Sequence, residues 1–320
     1  MQDIKVNSLK AWALAARPKT LTGAMIPVLL AGALAYRAGA FSQTGLSQGA
    51  TPFATPCLHW LLLICCLLFA CLMQIAANMI NDLYDFLKGS DREDRLGPER
   101  ACAMGWITPS AMKKGIAVVI GLACLVGLMA VWLCQSYLPY RGLEYVLMGF
   151  LCIVFAFLYT TRLSYLGWGD MLVLVFFGFV PVCGTYYLQT LSITPSVWVM
   201  SLISGIAIDA LLMINNYRDC EQDRLSGKQT VVVRFGKPFG LYAYLSIGLI
   251  VTLLSVALVL MLSQRPSILW LPLLVYLVLH FQTWRKMSRQ SGKALNVILG
   301  ETSRNMFLMA LCLSIVVICG

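Results

Sequence analysis

The sequence predicts an all-α membrane protein: a polytopic bundle of nine transmembrane helices around a central cavity open to the cytoplasmic side. Composition is the first observation behind this prediction. Of the 320 residues, 59% are hydrophobic and 12% are charged, whereas soluble domains average about 25% charged residues. The other two observations are nine apolar segments of membrane length and a sharp alternation of basic charge between the connections that join them. A soluble protein is therefore excluded.

The apolar segments account for nearly the whole chain, so residues 1–320 are expected to form a single membrane-embedded domain. Pro18 and Pro27 are expected to start or kink the first segment, since proline lacks a backbone donor. The predicted spans are 20–36, 57–84, 112–134, 144–161, 168–189, 197–217, 239–262, 267–283 and 303–320.

The positions of the basic residues predict the orientation. Of the 24 lysines and arginines, one set of alternate connections carries only Arg37, Arg141 and Arg265. Positive residues mark the cytoplasmic side, so the N-terminus is expected inside and the C-terminus outside. This orientation and contact with the lipid bilayer explain the net charge of +10, and no nucleic-acid partner is expected.

The cysteines and histidines indicate packing rather than a metal or disulfide site. Most of the 12 cysteines stand singly in apolar runs, where cysteine behaves as a small hydrophobic residue. The two histidines, His59 and His280, lie far apart, which argues against zinc.

An acid-rich stretch follows the second apolar segment. Asn81 and Asp85 are four residues apart, so a helix places them on one face. Asp82 and Asp91 add further oxygen donors. Such a cluster at the end of a membrane helix is costly unless it is neutralised. Mg²⁺ is the natural candidate, because it prefers oxygen ligands and shares them with substrate phosphate.

A second cluster repeats this pattern at the end of the sixth segment. Asn215, Asp219 and Asp223 are spaced four and four, and they follow Asn81 and Asp85 at a constant offset. Each cluster alone is also compatible with a solvated helix end balanced by nearby basic residues. Two matched clusters on one side favour a shared site between pseudo-equivalent halves, about 1–162 and 163–320.

These motifs resemble the UbiA superfamily of intramembrane prenyltransferases, which carry two Asp-rich motifs, N-x-x-x-D-x-x-x-D and D-x-x-x-D. The second cluster matches fully, whereas the first has Gly89 at its third acidic position and Asp91 next. Further segments resemble the branch of menaquinone biosynthesis that prenylates 1,4-dihydroxy-2-naphthoate. They lie at 17–20, 74–85, 95–100, 165–170, 176–190 and 215–236.

The resemblance implies a Mg²⁺-dependent enzyme of the bacterial inner membrane. It would transfer a polyprenyl group from polyprenyl diphosphate to 1,4-dihydroxy-2-naphthoate, releasing CO₂ and diphosphate and giving demethylmenaquinol. It implies catalytic roles for Asp85, Asp219 and Asp223, and metal ligation by these three with Asn81, Asp82, Asp91 and Asn215. It assigns Lys19, Arg95, Arg100 and Lys228 to diphosphate, and Arg17, Asn78, Tyr159, Arg162, Tyr165, Tyr186, Tyr187 and Asp209 to the acceptor or the cavity.

Two alternatives remain open at this point. A sibling enzyme of the same superfamily would use another acceptor, such as 4-hydroxybenzoate, haem or a chlorophyll precursor. A cation-coupled transporter would place acids near the membrane midplane on broken helices, whereas the acids here collect beside basic connections. For Asp209, which lies deeper in its segment, packing, hydrogen bonding and acceptor contact are equally compatible with the sequence.

Overall fold

The computed structural model describes residues 4–41, 56–89, 95–263 and 270–320. These ranges fold as α-helices with short helical turns between them, and they contain no β-strand. The helices are α1 (Leu9–Ala16), α2 (Leu21–Arg37), α3 (Pro56–Leu87), α4 (Pro109–Cys134), α5 (Leu143–Leu158), α6 (Gly169–Leu174), α7 (Val180–Thr190), α8 (Pro195–Leu225), α9 (Val231–Phe235), α10 (Lys237–Leu262), α11 (Leu273–Met287) and α12 (Leu295–Cys319).

Membrane-length helices dominate the fold, and the prediction of an all-α membrane bundle is confirmed. Within the described residues, 8 helical segments are long and apolar enough to cross a membrane. They are Leu9–Arg37, Pro56–Leu87, Pro109–Cys134, Leu143–Leu163, Gly169–Thr190, Pro195–Leu225, Lys237–Leu262 and Gly292–Cys319. The predicted span 267–283 coincides with α11, which has 15 residues and begins only after Pro272. Part of that predicted span, 267–269, lies outside the described residues.

Several helices continue beyond the apolar runs that predicted them. The predicted span 197–217 is part of α8, which has 31 residues and reaches Leu225. The predicted span 303–320 begins instead at Leu295. Hydropathy locates the lipid-facing part of a helix, but polar residues continue the same helix where they face a cavity or water. Asn81, Asp82 and Asp85 therefore lie within α3, and Asn215, Asp219 and Asp223 lie within α8.

Two π-helical turns interrupt the predicted spans 144–161 and 168–189. One covers Tyr159–Leu163 and extends α5, where the sequence lacks a Gly/Pro-rich turn. The other covers Val175–Phe179 between α6 and α7. The Ser204 hydroxyl donates to the Phe177 carbonyl in that turn at 2.6 Å. A Cβ at Gly178 would come within 2.5 Å of the Ser201 carbonyl oxygen on α8, so glycine permits the close approach of the turn to α8.

Arg37 joins three helix ends at the C-terminus of α2. Its guanidinium donates to the Val317 carbonyl at 3.0 Å and to the Leu262 carbonyl. These acceptors belong to the last turns of α12 and α10, where carbonyl groups lack helical partners. A cation at helix C-termini is favourable because it complements the helix dipole. The three helices are thereby held together at this end of the bundle.

The histidines and cysteines have structural environments. His59 Nδ1 lies 2.8 Å from Gln189 Oε1 on α7. His280 Nε2 lies 2.7 Å from the Tyr244 carbonyl oxygen on α10, and its ring stacks on Tyr244. All twelve cysteines, each within the described ranges, are free thiols. Both histidines therefore take part in contacts between helices.

Candidate active site

A cavity of about 610 Å³ lies among helices α2 to α8. Apolar side chains line most of it, including Phe69, Met73, Phe176 and Phe177. The polar lining residues are Arg17, Thr20, Gln74, Asn78, Asn81, Tyr145, Tyr159, Thr185 and Asn215. An apolar cavity with a few polar groups is typical of a small-molecule site, and here it suits a ligand with an apolar body.

The two motif asparagines line this same cavity from opposite halves of the sequence. Asn81 lies on α3 and Asn215 lies on α8. One helical turn further along, α3 carries Asp85 and α8 carries Asp219. The asparagine of each motif therefore lies in the cavity wall, and an acid of each motif follows it by one turn on the same helix.

Asp82 holds the chain that follows α3. This residue is 1% exposed. Its two carboxylate oxygens accept hydrogen bonds from the backbone N–H groups of Ala101 and Cys102, at 2.8 and 2.9 Å. Both oxygens are thus engaged by backbone donors, so Asp82 anchors the segment that follows α3.

Asp85 forms a buried ion pair with Arg100. The two side chains are 4% and 7% exposed, and the Arg100 guanidinium also donates to the Asn81 carbonyl at 2.9 Å. Because Arg100 contacts both members of the first motif, it fixes the 95–100 loop against the end of α3. The predicted diphosphate ligand Arg100 is therefore also a partner of the predicted catalytic acid.

Arg218 engages both carboxylate oxygens of its neighbour Asp219. Nε lies 2.8 Å from Oδ1, and Nη2 lies 2.6 Å from Oδ2. Nη1 donates to the Asn296 side-chain oxygen at 2.8 Å, and the Asn296 amide donates to the Leu96 carbonyl at 2.8 Å. This bonding connects α8, α12 and the 95–100 loop.

Lys88 and Lys228 lie beside the Tyr165 ring, and Lys228 also pairs with Asp223. Asp223 is 8% exposed, and its Oδ1 lies 3.6 Å from Lys228 Nζ. Lys228 Nζ lies 5.4 Å from the centre of the Tyr165 ring, and Lys88 Nζ lies 4.2 Å from it. The aromatic ring lies near two cations that follow the two acidic helices, an arrangement stabilised by cation–π attraction.

Asn78 and Thr20 connect α3 to the start of α2. The Asn78 amide donates to the Ala16 carbonyl at 3.0 Å and to Thr20 Oγ1 at 2.9 Å. Arg17, between α1 and α2, adopts a left-handed backbone conformation with φ of 51° and lines the cavity. Lys19, in the turn Pro18–Thr20, is exposed and does not belong to the described cavity lining.

The remaining predicted cavity residues divide into two groups. Tyr159 lines the cavity, whereas the described lining includes neither Tyr186 nor Tyr187. Tyr186 belongs to the buried core, and Tyr187 stacks on Tyr145, with ring centres 6.5 Å apart. The same lining does include Tyr145, which the sequence did not single out.

Three further predicted residues, Arg162, Arg95 and Asp209, do not belong to the described cavity lining. Arg162 is exposed on the π-helical turn that also holds Tyr159. Arg95 donates to the Pro98 carbonyl at 3.1 Å. One Asp209 carboxylate oxygen is buried without a hydrogen-bond partner in the described part of the chain, as is one of Asp170. Asp91 lies outside the described residues.

Sequence reasoning missed Arg218, Asn296 and Lys88 as neighbours of the acids. Arg218 directly precedes Asp219, but adjacent residues of a helix point in directions about 100° apart, so the pairing had no local signal. Asn296 is 200 residues from its partner Leu96. Lys88 comes at the end of the first acidic helix, which was the one available signal.

The residues at the acidic end fit a magnesium ion that is shared with a phosphate ligand. Across the described ranges, no three His, Cys, Asp or Glu side chains form a group that could hold a metal by themselves. The donors are carboxylate and amide oxygens spread over α3 and α8. Mg²⁺ is usually bound by one or two carboxylates together with substrate phosphate and water, so this divided donor set suits it.

Comparisons with known proteins agree with the resemblance to the UbiA superfamily that the sequence motifs indicate. The model of the UbiA prenyltransferase family matches residues 25–311. The 1,4-dihydroxy-2-naphthoate octaprenyltransferase of Escherichia coli strain K12 is 35% identical over 241 residues, covering 74% of this chain and 72% of that protein. The protein of the same name from Haemophilus influenzae is 37% identical, covering 72% of this chain and 70% of its own length.

The fold is similar to that of a solved structure. A UbiA homologue from Archaeoglobus fulgidus, bound to GPP and Mg²⁺, superimposes with a TM-score of 0.61 over 97% of this chain and 100% of that one. The sequence identity is 14%, so this likeness concerns the architecture alone.

Proposed function

The chain belongs to the UbiA prenyltransferase family, and we propose that it transfers a polyprenyl group from polyprenyl diphosphate to 1,4-dihydroxy-2-naphthoate. The reaction releases diphosphate and CO₂ and gives demethylmenaquinol, a step of menaquinone biosynthesis. One observation carries the proposal: an apolar cavity of about 610 Å³ ends between two helices that carry Asn81 and Asn215 in its wall and acids one turn further along. Such a site suits a ligand with an isoprenoid body and a charged head.

The acidic end is proposed to bind Mg²⁺ together with the diphosphate. Asn81, Asp85, Asn215, Asp219 and Asp223 would supply the protein ligands. Asp82 is left out because it is 1% exposed and both its oxygens accept from backbone N–H groups of the segment after α3, whereas the Asp219 side chain is 23% exposed. When bound, the metal stabilises the negative charge that develops on the leaving diphosphate.

Basic residues of the connecting segments are proposed to hold the diphosphate. Lys228 is paired with Asp223 at 3.6 Å, and Arg100 with Asp85, so each lies beside an acid of one motif. Arg95 and Lys19 belong to neighbouring segments of the same end. Lysine and arginine donors suit phosphate oxygens, and they would orient the allylic C–O bond that breaks.

The acceptor is proposed to approach through the part of the cavity that Tyr159 lines. As the allylic C–O bond breaks, its electron pair goes to diphosphate and the prenyl carbon becomes cationic. The electron-rich ring carbon that bears the carboxyl group forms the new C–C bond, and CO₂ and a proton leave. The apolar wall excludes water, which would otherwise capture the cation.

The membrane arrangement is also a proposal. We assign nine spans by adding α11 to the 8 longer segments, with the N-terminus in the cytoplasm and the C-terminus outside. This orientation follows from the distribution of basic residues and places the acidic end of the cavity on the cytoplasmic side of a bacterial inner membrane. The two motifs would then belong to pseudo-equivalent halves, about 1–162 and 163–320.

The test is product identification with the detergent-solubilised protein. We expect mass spectrometry to detect decarboxylated, prenylated product from 1,4-dihydroxy-2-naphthoate and polyprenyl diphosphate in the presence of Mg²⁺. A parallel incubation with 4-hydroxybenzoate serves as the acceptor control and should give no product. Product from 4-hydroxybenzoate alone would assign the sibling activity, and no product from any aromatic acceptor would refute the proposal.

A further inference from the structure

Arg218 is an almost fully buried cation at the acidic end of the cavity. It is 4% exposed, and its guanidinium forms a two-pronged fork. Nε and Nη2 donate to the two carboxylate oxygens of Asp219, at 2.8 and 2.6 Å. The Asp219 side chain is 23% exposed, so this carboxylate remains accessible to a ligand. A bidentate arginine fixes both the position and the plane of a carboxylate, which a lysine cannot do.

Asn296 holds the guanidinium of Arg218 in this orientation. Its side-chain oxygen accepts from Nη1 at 2.8 Å, and its amide nitrogen donates to the Leu96 carbonyl at 2.8 Å. Gly97 packs on the same guanidinium so closely that a Cβ would come within 2.9 Å of Nη2. The arginine is therefore held by α12 and by the 95–100 loop as well as by Asp219.

The same loop also reaches the first acidic motif, through Arg100 and Asp85. A continuous series of contacts thus runs from Asp219 through Arg218 and Asn296 to the loop, and from the loop to Asp85. The two acids lie on different helices, α8 and α3, and this loop contacts the surroundings of both through hydrogen bonds and an ion pair.

We propose that Arg218 and Asn296 are positioning residues that orient Asp219 for the shared metal–diphosphate site and couple it to the loop that carries Arg100. The inference rests on the proposed function, since it gives Asp219 a ligand to position. When the ligand is bound, one Asp219 oxygen would contact it while the other oxygen would remain hydrogen-bonded to Arg218. Groups that orient metal ligands in this way commonly change metal affinity by about 10–100-fold when they are replaced.

A different role for Arg218 would give the opposite result. If Arg218 only neutralised Asp219, it would compete with a metal for the carboxylate, and loss of its fork would tighten metal binding. If it only stabilised the fold, its replacement would leave the metal affinity of the folded protein unchanged. The sign of the change therefore distinguishes positioning from competition and from packing.

The experiment is a titration of the full-length protein with Mn²⁺, followed by electron paramagnetic resonance, with geranyl thiodiphosphate as an unreactive donor analogue. Arg218→Lys keeps the charge and removes the fork, and we expect Mn²⁺ binding to weaken by about tenfold or more. Asn296→Ala should weaken it in the same direction. The double variant should be no weaker than Arg218→Lys, because both residues act through one carboxylate.

Arg224→Lys is the matched control on the same helix. Arg224 contacts Glu221 at 3.4 Å, but both side chains are exposed, at 57% and 63%, so we expect wild-type affinity. Unchanged or tighter Mn²⁺ binding in Arg218→Lys would overturn the inference. If that variant does not fold, Asn296→Ala decides by the same criterion. A wild-type protein that binds no Mn²⁺ with the analogue would instead overturn the proposed function, and the positioning role with it.

Discussion

Arg100 reaches back from the loop after α3 to form a buried ion pair with Asp85 near the end of that helix. The pair lies beside Asn81, whose carbonyl accepts a second hydrogen bond from the same arginine. Asp85 is thus both an acid of the proposed reaction and a partner in a buried ion pair. Replacing it affects activity and stability together, so the two effects have to be measured separately.

We predict that Asp85→Ala lowers turnover by about 100-fold, since the site loses a carboxylate donor. The variant should also lose about 3–5 kcal/mol of unfolding free energy, because Arg100 is left as an uncompensated buried charge. Steady-state turnover and thermal unfolding in detergent measure the two effects. In the double variant Asp85→Ala/Arg100→Met, stability should return without activity; recovery of both would show that Asp85 acts only through the fold.

Asp82→Ala is predicted to behave in the opposite way. It removes two hydrogen bonds to a buried carboxylate, and a hydrogen bond to a charged group contributes about 1.5–3 kcal/mol. We expect a lower unfolding temperature, with the Mg²⁺ concentration for half-maximal activity unchanged at a temperature where the variant is folded. Asp82→Asn, which keeps one acceptor, should be intermediate in stability. A large rise in the Mg²⁺ concentration for half-maximal activity would instead show that Asp82 is a metal ligand.

The apolar part of the cavity is predicted to limit the donor length. Cys66 lines the cavity on the same helix as Asn81, and the two positions are about 22 Å apart along the helix axis. Cys66→Trp should therefore exclude long polyprenyl donors while geranyl diphosphate remains a substrate, as product masses from a donor series would show. Leu68→Trp, at a side chain that is 46% exposed on the same helix, is the control. An unchanged product series for Cys66→Trp would place the prenyl chain elsewhere.

Chelation is predicted to abolish turnover reversibly. We expect EDTA to stop product formation, and Mg²⁺ or Mn²⁺ to restore it. Ca²⁺ should restore much less, because it takes longer bonds and more ligands than Mg²⁺. The measurement is diphosphate release after each ion is added back to the chelated protein. Full activity in EDTA would contradict a metal-dependent mechanism.

The sequence predicted the fold well because the lipid-facing residues carry the signal. Continuous apolar runs located the eight longer segments, whereas α11 is shorter than its predicted span and starts after Pro272. The eight residues of α1 were missed because a short helix before the first span has no membrane-length pattern. The C-terminal ends of α3 and α8 were predicted too early in the sequence. Their acidic residues end the apolar runs, but the helices continue through them.

The candidate site was predictable only where its residues repeat at helical spacing. Asn81 and Asn215 were recognised from sequence and both line the cavity. The surroundings of Arg218 were not, since Asn296 and Leu96 are brought to it only through tertiary contact. Tyr186 and Tyr187 were assigned from a motif that also contains Thr185, yet the described cavity lining includes Thr185 alone of the three.

Each acid of the two motifs that the structure describes already has a partner within the chain. Backbone N–H groups engage Asp82, and Arg100, Arg218 and Lys228 accompany Asp85, Asp219 and Asp223. Many small metalloproteins fold only when metal arrives, because the ligands have no other partner. Here the chain supplies its own counter-charges, so the protein is able to insert and fold before metal or substrate is bound.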